Sequence, residues 1–216
     1  MEQAIPLEAV PEKPLLRGVS HQIFFFVALA AGAWLLTVAR AEQKWACAVY
    51  LTALCGQLLV STLYHRPTWQ PAARQWWRRL DHAFIMILIA GTGTPLAVAL
   101  QGDASRNLLL LLWGGASLGV LRALVWIHAP KPVAAGLALA LAWFMSPFLP
   151  ELRAVLGANG TAWLLAGGIL YSVGAIAYAT KKPNLWPKVF GYHEVFHAFV
   201  ILAAACHFVA VTLVAR

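Results

Sequence analysis

The chain is 216 residues long, 61% of them apolar and 11% charged, with a formal charge of +8 at pH 7. Soluble domains carry about 25% charged residues, so this composition excludes a water-soluble globule for most of the chain. It also redirects the basic excess: cations gathered between long apolar runs answer to membrane topology, and no nucleic-acid partner is expected.

No Asp, Glu, Lys or Arg occurs in 18–39, 45–65, 82–102, 107–121, 132–150, 154–180 or 195–215. About 20 residues of helix cross the ~30 Å of bilayer hydrocarbon. Six of the seven runs meet or approach that length, and the fourth continues past Arg122 through Leu124–Ile127. None has the polar face that a soluble helix shows every 3.6 residues, and stretches such as LALALAW lack the alternation of barrel strands. The predicted fold is all-α: a polytopic seven-transmembrane-helix bundle, with 1–20 an N-terminal cytoplasmic segment and 21–216 a single transmembrane domain. The first run follows a polar, proline-bearing stretch and is read as a retained helix, not a cleaved signal.

Taken in order, the first run starts on Ser20 and His21, and the second ends on Ser61 and His65, four apart. The connection HRPTWQPAARQWWRRLD reads as an interfacial segment with indoles dipping and arginines facing phosphates. Asp81 and His82 then open the third helix. His128 falls in a loop. Pro132, Pro147 and Pro150 bracket the fifth helix, while Gly167, Gly168 and Gly174 offer close packing on the sixth. The seventh begins HEVFH, with His193 and His197 four apart and His207 about 15 Å further along. Cys47, Cys55 and Cys206 form neither a pair pattern nor a CxxC, so no disulfide framework or thiolate cluster is expected.

Sorted by side, eleven cations fall on the N-terminal side of the predicted bundle and five opposite, with Arg122 counted among the eleven. That asymmetry across short loops predicts a cytoplasmic N-terminus and an external C-terminus. An antiparallel chain then brings Ser61, His65, Asp81, His193 and His197 to one membrane level. Ionisable groups in hydrocarbon are expensive and mark functional sites. Three neutral imidazoles with a carboxylate nearby suit a catalytic zinc, which holds three protein ligands and activates a water. His21 is a polar neighbour at the same level, and His207 reads as a helix–helix hydrogen bonder. HEVFH also matches the zinc-protease pattern HExxH, but Glu194 reads better as an exposed first-turn acid at a helix N-terminus.

The segments STLYH, LDHAFIMILIAGTGTP and GGILYSVGAIAYATKKPNLWPKVFGYHEVFHAFVILAAACHF resemble the bacterial hemolysin III family. That family sits with the progestin and adipoQ receptors, including adiponectin receptors, and is distantly similar to alkaline ceramidases. The resemblance implies a cytoplasmic (inner) bacterial membrane. It implies His65, His193 and His197 as Zn2+ ligands, Asp81 as the residue that holds or deprotonates the attacking water, and Ser61 as its hydrogen-bonding neighbour. Two departures touch none of these: Arg17 stands where relatives have Asn ahead of the Ser20-His21 pair, and Gly93 where they have Tyr. The leading expectation is a zinc-dependent hydrolase of a lipid amide or ester, with a ceramide-like or fatty-acyl substrate drawn from membrane lipids. A sensor of membrane state with structural zinc is the alternative, and a pore-forming cytolysin ranks third. The sequence leaves the oligomeric state open.

Overall fold

A computed structural model describes residues 13–216, so the first twelve residues of the expected N-terminal segment lie outside the described residues. Seven α-helices follow in order: α1 Val19–Val38, α2 Lys44–His65, α3 Pro71–Ala99, α4 Gly102–Val125, α5 Lys131–Trp143, α6 Leu149–Thr180 and α7 Tyr192–Ala215. Short 3-10 turns at Ala41–Gln43 and Ser146–Phe148 precede α2 and α6. Among the described residues the only strand-like pairing is an isolated antiparallel bridge between Trp186 and Phe190.

Among the described residues, six helical stretches are long and apolar enough to cross a membrane: Val19–Val38, Ala41–His65, Pro71–Ala99, Gly102–Val125, Lys131–Thr180 and Tyr192–Ala215. The fifth of these merges the two runs predicted as separate helices. Its first part, α5, has 13 residues and so reaches only about 20 Å. The charge-free run predicted as a helix over 132–150 ends early because Pro147 has no N–H to donate to the carbonyl of Trp143, four residues back, and its ring crowds that carbonyl, so the chain tightens into a 3-10 turn. Inside α6, Gly157 takes φ 66° and ψ −179°, a conformation open in practice only to glycine, and divides the helix there.

The connection predicted as an interfacial segment is helical from Pro71 onward. Gln70 is extended and Pro71 stands in the first turn, the arrangement that starts helices well. Asp81 therefore lies nearly three turns inside α3 rather than at its start, and the 29-residue helix is longer than the ~30 Å hydrocarbon core is thick. On that projecting part, the Arg79 guanidinium lies 4.8 Å over the Trp76 ring, and Trp69 stacks on Trp77.

Apolar side chains face outward all around the bundle, among them Phe26, Leu110, Leu118, Ile176 and Leu202. Inside are two apolar clusters. One joins α3, α4, α6 and α7 through Leu96, Leu108, Leu112, Leu164, Ala210 and Val214. The other joins α1, α2 and α7 through Leu35, Tyr50, Leu54, Leu58, Val211 and Ala215. Helix α6 packs closely on α7 because Gly167 lies against Ala203 and the His207 ring, and Gly174 against Phe199. At the α1–α2 turn, the Arg40 amide and guanidinium donate to the carbonyls of Ala215 and Val214, at 2.8 and 2.9 Å. The opposite end of the bundle gathers the polar residues.

Candidate metal centre

Helix α2 carries Gln57, Ser61 and His65 at successive four-residue steps, and all three are buried. That spacing stacks side chains on one helix face. Helix α7 presents His193 and His197 in the same way from its first two turns. The N-terminus of α7 is held by a capping box in which Glu194 accepts a hydrogen bond from the Gly191 amide at 2.8 Å.

The two helices bring His65, His193 and His197 together, with one ligand atom from each lying within 4.8 Å of the others. His65 Nε2 and His193 Nε2 are 3.1 Å apart. His65 and His197 are buried and His193 half-buried. Two nitrogens bound to one tetrahedral zinc at 2.0–2.1 Å lie roughly 3.3 Å apart, so the observed approach fits a shared ion. The buried Nδ1 of His197 has no hydrogen-bond partner among the described residues. The donor set fits a metal; imidazole ligands are shared by zinc, copper, iron and nickel.

Asp81 is buried on α3 against the α2 face that carries Gln57, Ser61 and His65, and it does not join the ligand group. Gln57 Nε2 donates to Asp81 Oδ1 at 3.5 Å, and Ser61 also turns its hydroxyl to that carboxylate. On the far side, Tyr178 and Tyr192 set their rings 5.7 and 6.3 Å from that of His193. Lys131 Nζ donates to the Tyr192 hydroxyl at 2.6 Å and lies 4.8 Å over the Tyr178 ring.

His21 is closer to the cluster than the sequence implied. Its ring stacks on that of His197, centroids 3.9 Å apart and planes within 3°. Both of its nitrogens are buried and lack a partner among the described residues. Glu194 is first-turn, as expected, but it is not exposed: only 3% of it is accessible, because Arg17, on the chain entering α1, forms an ion pair with it. The Arg17 guanidinium and the Gly191 amide thus each donate to one Glu194 carboxylate oxygen, tying this side chain to the chain entering α1 and to the start of its own helix. His207 stays out of the site and faces the Leu164 carbonyl across the α6–α7 contact at 3.1 Å. His82 is half-buried, with the charges of Arg78, Arg122 and Lys131 bearing on it. His128 is exposed in a turn.

Gln57 could have been found from its four-residue step ahead of Ser61, and Tyr192 from its place before His193. Lys131, Tyr178 and Arg17 carry no such local signal, since tertiary packing alone brings them in.

An all-helical membrane protein with three histidines gathered at one end, from the end of α2 and the start of α7, defines the class. Residues 10–208 match the family model described as Haemolysin-III related, and the chain belongs to that family. It is 33% identical to Hemolysin-3 of Bacillus cereus over 164 residues, 76% of this chain and 72% of that protein. It is 28% identical to the Hemolysin-3 homolog of Bacillus subtilis (strain 168) over 205 residues, 93% of each. A shorter likeness, 40% over 50 residues, reaches the ADIPOR-like receptor IZH2 of Saccharomyces cerevisiae, covering 21% of this chain and 16% of the receptor. The family thereby sits within the progestin and adipoQ receptor superfamily.

Proposed function

We propose that the protein is a zinc-dependent hydrolase of a lipid amide or ester bond, working within a cytoplasmic bacterial membrane. The observation that carries this reading is the convergence of His65, His193 and His197, with the buried carboxylate of Asp81 bonded to Gln57 on the α2 face that also carries His65. A zinc ion held by the three histidines would supply a Lewis acid for the carbonyl and lower the pKa of a water. Asp81 accepts the proton of the attacking water and returns it to the departing amine or alcohol, leaving a fatty acid. Gln57 and Ser61 orient that carboxylate. A ceramide-like or fatty-acyl substrate arrives from the surrounding lipid, toward which the outer helix faces are apolar.

In this reading α5 with the following 3-10 turn and α6 each cross the membrane, giving seven crossings with the N-terminus cytoplasmic. The eleven-to-five distribution of cations supports it. Single-cysteine labelling in spheroplasts then finds 66–70 and 181–188 shielded from an impermeant reagent and residue 216 accessible; labelling of 66–70 from outside reverses the orientation.

The catalytic reading is tested with detergent-purified protein, mixed ceramides and phospholipids, and mass spectrometry of released fatty acid. Release that a chelator stops and zinc restores supports the hydrolase, and no release from any lipid class refutes it. A receptor with structural metal is the second reading. It is favoured by the unpartnered fourth histidine, His21, stacked on His197, since structural zinc sites are closed by four protein ligands.

A further inference from the structure

The chain entering α1 is tied down at every step. Lys13 Nζ donates to the Arg66 carbonyl at 2.9 Å. The amides of Leu15 and Leu16 donate to the carbonyls of Lys188 and Val189, at 3.0 and 3.2 Å, pairing this strap with the loop that leads into α7. Arg17 meets Glu194, the residue directly after His193 on α7. Gly18 has φ 77°, and a Cβ there would lie 2.8 Å from the His65 Cβ, so the backbone runs directly against that ring's stem. One turn later His21 stacks on His197. Within five consecutive residues, Arg17, Gly18 and His21 thus reach Glu194, His65 and His197.

We propose that the Arg17–Glu194 pair is a latch that holds the Lys13–Gly18 strap across the histidine cluster and thereby fixes His21 against His197, slowing metal exchange. The metal part of this rests on the zinc reading above; the strap itself does not. Arg17 and Glu194 are positioning residues, acting through the strap and through the rings it presses together. Glu194 is 3% exposed, and removing one partner of such a pair leaves the other charge buried without compensation. Removing both charges together avoids that penalty and leaves only the loss of the tie.

Two variants isolate the latch. Glu194→Gln keeps a side chain able to cap the Gly191 amide, so α7 begins as before while the charge is lost. Arg17→Met keeps the apolar stem, and Arg17→Lys keeps the charge. The first readout is hydrogen exchange of the peptide spanning residues 13–18 in metal-free protein. It is expected to quicken ~10-fold in Glu194→Gln and Arg17→Met and to stay near wild type in Arg17→Lys, as a local opening would. The second is the rate at which zinc-loaded protein yields its metal to a chromogenic chelator, expected to rise by a similar factor in the same two variants. Should either single variant fail to fold, Arg17→Met/Glu194→Gln carries both measurements. Unchanged exchange at 13–18 in the folded variants overturns the latch. Faster exchange with unchanged zinc loss overturns its role at the metal. A wild type that binds no zinc fails the function proposed above, while the exchange readout still decides the strap.

Discussion

The two ends of the bundle solve different problems. The end holding the α1–α2 turn and the C-terminus of α7 is packed with Leu35, Leu96, Leu108, Leu112, Ala210 and Val214, and it buries few polar groups: Trp113 donates to Thr94 at 3.1 Å, while Gln43 Oε1 and the Tyr50 hydroxyl have no partner among the described residues. The other end buries Gln57, Ser61, His65, Asp81, Glu194 and His197 within reach of lipid. There, nitrogens of His21 and His197 have no partner among the described residues. Ionisable groups in a bilayer are costly, so the end that gathers histidines and carboxylates is the one where a functional site is expected. If the proposed function holds, stability resides at the first end and chemistry at the second, and substitutions should separate them.

The largest effect is expected at Asp81. Asp81→Asn is nearly isosteric and still hydrogen-bonds, but it cannot accept a proton, so lipid turnover should fall ~10²-fold or more with the thermal midpoint almost unchanged. Equal turnover would remove the general base and blur the division between the two ends. A smaller effect, on stability alone, is expected at Gly167. A methyl group there collides with the His207 ring and sits 3.1 Å from the Ala203 carbonyl. Gly167→Ala should therefore destabilise by about 1–3 kcal/mol, seen as a lower melting temperature in detergent, with metal content preserved. The smallest is a gain. Nothing lies within 4 Å of a Cβ at Gly136, in the middle of α5, so Gly136→Ala should add up to ~1 kcal/mol from helix propensity. A loss there would mean that α5 packs against something beyond this chain.

How much of this was legible in the sequence follows the range of the interactions. The pairs Ser61/His65 and His193/His197 are same-helix spacings and could be read directly, as could the separation of His207 from them. The shared level of α2, α3 and α7 followed from alternation of apolar runs. Helix ends are less legible, because a charged residue need not end a helix. Gln70-Pro71 starts α3 ten residues before Asp81, and Pro147 and Gly157 interrupt runs that composition alone joins. The burial of Glu194 was illegible, since its partner Arg17 lies 177 residues away and only the folded chain brings them together. The stacking of His21 on His197 has the same cause: two rings on α1 and α7, with no local pattern to join them.

The most direct test is the metal itself. Protein purified from zinc-replete cells should carry about one zinc per chain by elemental mass spectrometry, since three imidazoles fill the protein positions of such a site. His193→Ala and His197→Ala should lose it, and His207→Ala, whose ring faces the Leu164 carbonyl, should keep it. A wild type free of metal, or loss of zinc in the His207 variant alone, would contradict the assignment of His65, His193 and His197 as its ligands.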